Sequence, residues 1–101
     1  MWARVASFEG IDVEGLRARA GQRPPDDQIP SGLKGVLALV DAEGKRQLFI
    51  TFFESREEIE AAEPTFERMG EDFPEELRGR RASRDYYEVG TGLFAFSGEI
   101  R

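Results

Sequence analysis

Residues 35 to 58 read Gly35-Val36-Leu37-Ala38-Leu39-Val40-Asp41-Ala42-Glu43-Gly44-Lys45-Arg46-Gln47-Leu48-Phe49-Ile50-Thr51-Phe52-Phe53-Glu54-Ser55-Arg56-Glu57-Glu58. Two β-prone runs flank a short connection, Asp41 to Lys45, whose Gly44 can take the positive φ that a hairpin loop needs. In the second run Leu48, Ile50 and Phe52 point one way and Phe49, Thr51 and Phe53 the other, so both faces are apolar. The run ends at a capping box, with Ser55 placed to accept the N3 amide and Glu58 placed to reach back. A hairpin that feeds directly into a helix follows.

Downstream, Ile59, Ala62, Phe66, Met69, Phe73 and Leu77 step by three or four and form one stripe, with a densely acidic opposite side. Pro64 removes the amide that would bond to Glu60, which predicts a kink or restart near Glu63. Met69-Gly70 can end the first piece, and Asp72-Phe73-Pro74-Glu75-Glu76 reads as a fresh start with Pro in the first turn. Ser83 to Val89 then forms a last main strand, and Thr91 to Ile100 reads as a further extended segment able to reach a neighbouring subunit.

Upstream, residues 2 to 8 alternate, with Trp2, Arg4, Ala6 and Phe8 on one face and Ala3, Val5 and Ser7 on the other. Asp12 can cap a short helix with Val13, Leu16 and Ala20 buried, Ile11 as a staple partner and Gly21 as its stop. Gly15 weakens that helix. Gly21 to Gly35, with Pro24-Pro25 and Pro30, excludes regular structure and makes a long loop.

The order strand, helix, strand, strand, helix, strand defines an α+β chain. One four-stranded antiparallel sheet with two helices on one face, the ferredoxin-like βαββαβ arrangement, satisfies it with right-handed crossovers. Helices cover only one face, so the apolar second face calls for another layer. A second copy of the chain is the economical source. The 101 residues form a single domain with a core over 1–90 and an extended segment over 91–101.

Composition removes many chemistries. The chain has no Cys and no His, and no Asn. Thiolate nucleophiles, Ser-His-Asp triads, Cys/His zinc sites and His-ligated haem cannot be assembled from it. A net charge of -6 argues against general nucleic-acid or anionic-membrane binding, which needs a basic surface. No apolar run approaches about 18 residues, and the start of the chain lacks the pattern of a secretion leader. Zero Cys fits a reducing compartment, so the expectation is a cytoplasmic protein with no metal and no cofactor.

Several segments together resemble the dimeric α/β-barrel superfamily that contains antibiotic biosynthesis monooxygenase-like proteins. They are Met1-Trp2-Ala3-Arg4-Val5, Ile29-Pro30-Ser31-Gly32-Leu33-Lys34-Gly35, the Asp41 to Lys45 hairpin, Phe52-Phe53-Glu54-Ser55 running into an acidic helix, and Tyr86-Tyr87-Glu88-Val89. The resemblance spans roughly residues 1 to 90. It implies a homodimer with two sheets facing each other and a cavity between each sheet and its helices. Some relatives oxidise aromatic polyketides or quinols without metal or flavin, and some degrade haem. Their sites typically use Asn, Trp, and His or Tyr with Arg. This chain departs from that set: it lacks Asn and His, and Phe53 stands where relatives often have Trp.

The residues left for chemistry are few. Arg4 shares a strand face with Trp2, and its guanidinium could meet an anionic or enolate oxygen in a cavity; the competing reading packs Trp2 at a dimer seam and pairs Arg4 with a Glu. Tyr86 and Tyr87 must point to opposite faces, so at most one serves a given pocket. Glu54 could act as a base if burial raised its pKa, or could support the helix N-terminus. Trp2, Phe52 and Phe53 are the candidate ligand-binding residues. Ten acidic residues between Glu54 and Glu76 read as a solvated helix face rather than a metal site, and Arg78, Arg80, Arg81 and Arg84 as its charge balance. Three functions fit: a homodimeric ligand-binding domain without the usual catalytic set, a cofactor-independent oxygenase or isomerase using Arg4 and one Tyr, or a structural or regulatory interaction module.

Overall fold

A computed structural model describes residues 1–19, 29–72 and 75–90. Its elements are β1 (Trp2–Glu9), α1 (Val13–Arg19), β2 (Gly35–Asp41), β3 (Arg46–Phe53), α2 (Arg56–Asp72), α3 (Glu75–Arg78) and β4 (Arg80–Glu88). The four strands make one antiparallel sheet in the order β2-β3-β1-β4, the ferredoxin-like arrangement.

Register assigns every strand residue to a face. Arg4 lies opposite Thr51 on β3 and Tyr86 on β4, while Val5 lies opposite Ile50 and Asp85. Because side chains alternate, Trp2, Arg4, Ala6, Phe8, Phe49, Thr51, Phe53 and Tyr86 share the helix side. Ala3, Val5, Ser7, Leu37, Leu39, Leu48, Ile50, Phe52 and Tyr87 share the open side. On the helix side, Phe53, Ile59, Ala62 and Phe66 form the buried core, with Trp2, Leu33, Phe49, Met69 and Tyr86 packed against it. Phe53 and Phe66 meet edge to face, their centroids 6.3 Å apart.

The hairpin forms as expected, but its strain sits elsewhere. Lys45, not Gly44, adopts the positive φ, at 51°. Gly44 allows a close approach instead: its amide donates to Asp41 Oδ1 at 3.1 Å, and a Cβ there would lie 2.6 Å from Asp41 Oδ2 unless that side chain moved. Asp41 also accepts from Arg46 Nη2 at 2.7 Å across the loop.

At the start of α2, Glu58 N donates to Ser55 Oγ at 3.2 Å. The Glu58 carboxylate accepts from the amide of Glu54 rather than that of Ser55, so the reciprocal half of the cap is displaced by one residue. The restart expected near Glu63 does not occur, and α2 runs as one helix through Pro64 and Gly70 to Asp72. Pro64 is exposed, and the turns on either side of it are anchored by buried Ile59, Ala62 and Phe66. That burial outweighs the lost backbone bond, about 3 kcal/mol for an interior Pro.

The last strand begins at Arg80, three residues before the expected Ser83. Gly79, at φ 68°, turns the chain beside the end of β1, and a bulge absorbs one residue between the Ser7–Ser83 and Phe8–Arg81 pairs. Asp12 caps α1 through Gly15 N at 3.1 Å, and Ile11 beside it is buried. Ala20, Gly21, Phe73, Pro74 and the Thr91–Ile100 segment lie outside the described residues.

Candidate functional site

The first chemical feature is an ion cluster beneath α2. Arg4, 3% exposed, donates through Nε to Glu63 Oε1 at 2.5 Å and through Nη2 to Oε2 at 3.5 Å. Arg84 Nη1 donates to the same Oε2 at 2.7 Å, so one carboxylate serves two guanidinia. Arg4 also stacks on Phe66, with its guanidinium carbon 4.1 Å from the ring centroid. Burial pulls the Glu63 carboxyl upward, and the Arg4 and Arg84 guanidinia outweigh it, holding it below the usual carboxylate range.

Tyr86 completes the cluster. Burial first, and then the Glu63 carboxylate, push its phenol up, so it stays protonated at neutral pH. Its ring carries Arg56 on the helix side and Arg84 on its own strand, at 5.4 and 5.9 Å. Across the ladder from Arg4, Thr51 is 1% exposed and its Oγ1 has no hydrogen-bond partner.

The second feature is an open-sided cavity of about 180 Å³ between sheet and helices. Phe8, Leu16, Phe49, Phe66 and Met69 give it apolar walls, and Arg4, Gln47, Glu67 and Arg81 give it polar edges. Phe8 and Phe49 come from the sheet, Leu16 from α1, and Phe66 and Met69 from α2. A concave area of about 620 Å³ lies on the opposite, open face, with Val5, Leu39, Leu48 and Tyr87 in its lining. It is the hollow of the twisted sheet itself, and Leu39 and Leu48 stand 48% and 39% exposed there.

These positions sort the sequence candidates. Arg4 lines the helix-side cavity and Tyr86 adjoins Arg4 without lining it. Tyr87 is on the open face, 56% exposed. Glu54 is exposed in the link between β3 and α2, without the burial that a general base needs. Trp2 and Phe53 face each other across β1 and β3 on the helix side, Phe52 is on the open side, and the cavity is lined by none of the three. The site residues missed in the sequence are Glu63 and the five cavity walls Phe8, Leu16, Phe49, Phe66 and Met69. A signal for Glu63 existed: it lies on the apolar stripe, one residue after Ala62 and three before Phe66, where a carboxylate needs a buried cation.

Arg81 and Arg84 do pair with the acidic helix, through Glu67 and Glu63, whereas Arg80 pairs with Glu9 on β1 and Arg78 Nε is buried without a hydrogen-bond partner. Among the described residues no group of three or more Asp and Glu could hold a metal ion, and no helix is long and apolar enough to cross a membrane.

Strand order, helix placement and the helix-side cavity define a ferredoxin-like α+β protein. Its likeness is to a solved structure described as an antibiotic biosynthesis monooxygenase from Chloroflexus aurantiacus, with a TM-score of 0.54 at 10% identity, covering 92% of this chain and 96% of that one. That likeness is one of fold. No protein-family model and no curated protein sequence matches the chain.

Proposed function

We propose that the chain is one half of a homodimeric ligand-binding domain, the two sheets meeting through their open faces and each helix-side cavity holding one small apolar or aromatic molecule. The observation that carries this reading is the cavity of about 180 Å³ walled by Phe8, Leu16, Phe49, Phe66 and Met69. An apolar cavity of roughly 150 Å³ in a protein core is enough for benzene. The dimer rests on the row of Leu37, Leu39, Leu48, Ile50 and Phe52 on the open side, since a contiguous exposed apolar patch marks an association surface. A sheet face is self-complementary about a two-fold axis, the commonest closed symmetry.

The arrangement supports binding better than oxygenation or isomerisation. Arg4 is tied to Glu63, Tyr86 does not reach the cavity, and Tyr87 is on the other face, so no phenol converges with Arg4 on a bound molecule. The test is thermal unfolding with toluene as the probe. Toluene at ten times its dissociation constant contributes about 1.4 kcal/mol, several degrees in Tm for a domain of this size. An unchanged Tm up to saturation contradicts the reading.

A further inference from the structure

Resting on the ligand-binding reading, we infer that the cavity is selective for a monoanionic aromatic ligand, a ring bearing a carboxylate or comparable anionic oxygen, received by Arg4. The chain as a whole carries a net charge of -6, yet this corner is cationic. Arg4, Arg81 and Arg84 stand against Glu63 and Glu67, which leaves one positive charge in excess. Glu63 is shared between Arg4 and Arg84, so Arg4 has no carboxylate to itself.

The hydrogen-bond inventory points the same way. A guanidinium has five N–H donors in one plane. Glu63 takes two of those of Arg4 and, among the described residues, is its only hydrogen-bond partner. Phe66 occupies a face of the plane at 4.1 Å. The remaining donors therefore lie in the plane of a group that is 3% exposed and lines the cavity. Desolvating such a group is costly unless its donors are met, and a planar carboxylate meets them best. The apolar walls suit a ring, and their volume leaves little room beyond one ring with one small substituent.

Benzoate and benzamide, matched in shape and differing in charge, test this by calorimetric titration of the intact protein, with toluene as reference. Benzoate should bind at least about tenfold tighter than benzamide, the difference between a charge-assisted and a neutral hydrogen bond, and added salt should narrow the gap. Arg4→Met should bring the two within about twofold, while Arg4→Lys should keep part of the preference. Toluene binding together with equal or weaker benzoate binding overturns the anion selectivity and leaves the cavity reading standing. If none of the three binds, the cavity reading falls and the selectivity with it. The wild-type comparison decides the matter even if Arg4→Met does not fold.

Discussion

A single carboxylate, Glu63, holds two guanidinia in place, one buried and one at the surface. Removing one partner of a buried pair leaves an uncompensated charge, so Glu63→Gln should lower stability by about 3 kcal/mol in urea unfolding. Replacing both members with apolar residues, Arg4→Met with Glu63→Leu, should recover most of that loss, and failure to do so would show that Glu63 acts mainly through Arg84. The linkage has a definite sign. The folded-state pKa of Glu63 is below its unfolded value, so its contribution is complete above about pH 4.3 and is lost as pH falls through the lower folded value. Stability measured from pH 6 to pH 2 should show that decline in the wild type, and Glu63→Gln should lack this component.

Among elements, α2 shows where local rules yield to packing. Pro64 lies in the middle of a 17-residue helix because its ring faces solvent and the buried stripe holds both flanking turns. Pro64→Ala restores a backbone donor without disturbing the core. It should stabilise the protein by up to about 3 kcal/mol, and a neutral or destabilising result would mean that the local geometry at Glu63 depends on the proline. The periodicity of the strands, the Ser55 and Asp12 caps and the core stripe were all legible in the sequence, because alternation and capping are local. The pairing of Arg4 with Glu63 was not, because it depends on which turn of α2 crosses which strand, a contact across 59 positions. Trp2, Phe52 and Phe53 do not line the cavity, whose aromatic walls are Phe8, Phe49 and Phe66, because strand register and the crossing of α2, not nearness in sequence, decide which rings meet there. The exchange of roles between Gly44 and Lys45 was equally hidden, since the side chain of Asp41 decides how closely the loop folds back.

At the scale of the whole molecule, the two sides of the sheet differ in what they bury. The helix side carries the buried core and the open-sided cavity walled by Phe8, Leu16, Phe49, Phe66 and Met69, while the open side presents Leu39, Leu48 and Tyr87 to solvent. If a second copy covers that side, light scattering at micromolar concentration should give twice the chain mass of 11.4 kDa. Leu48→Glu should then give a folded monomer, since a charge would be buried without a partner. A wild-type monomer would contradict the sheet-face dimer. The central claim, that the helix side is the ligand side, is tested most directly by methyl-resolved nuclear magnetic resonance during a toluene titration. The expected result is saturable shifts confined to Leu16 and Met69, with Leu39 and Leu48 unmoved. Shifts at Leu39 and Leu48 with Leu16 and Met69 silent, or no saturable shift at all, would contradict it.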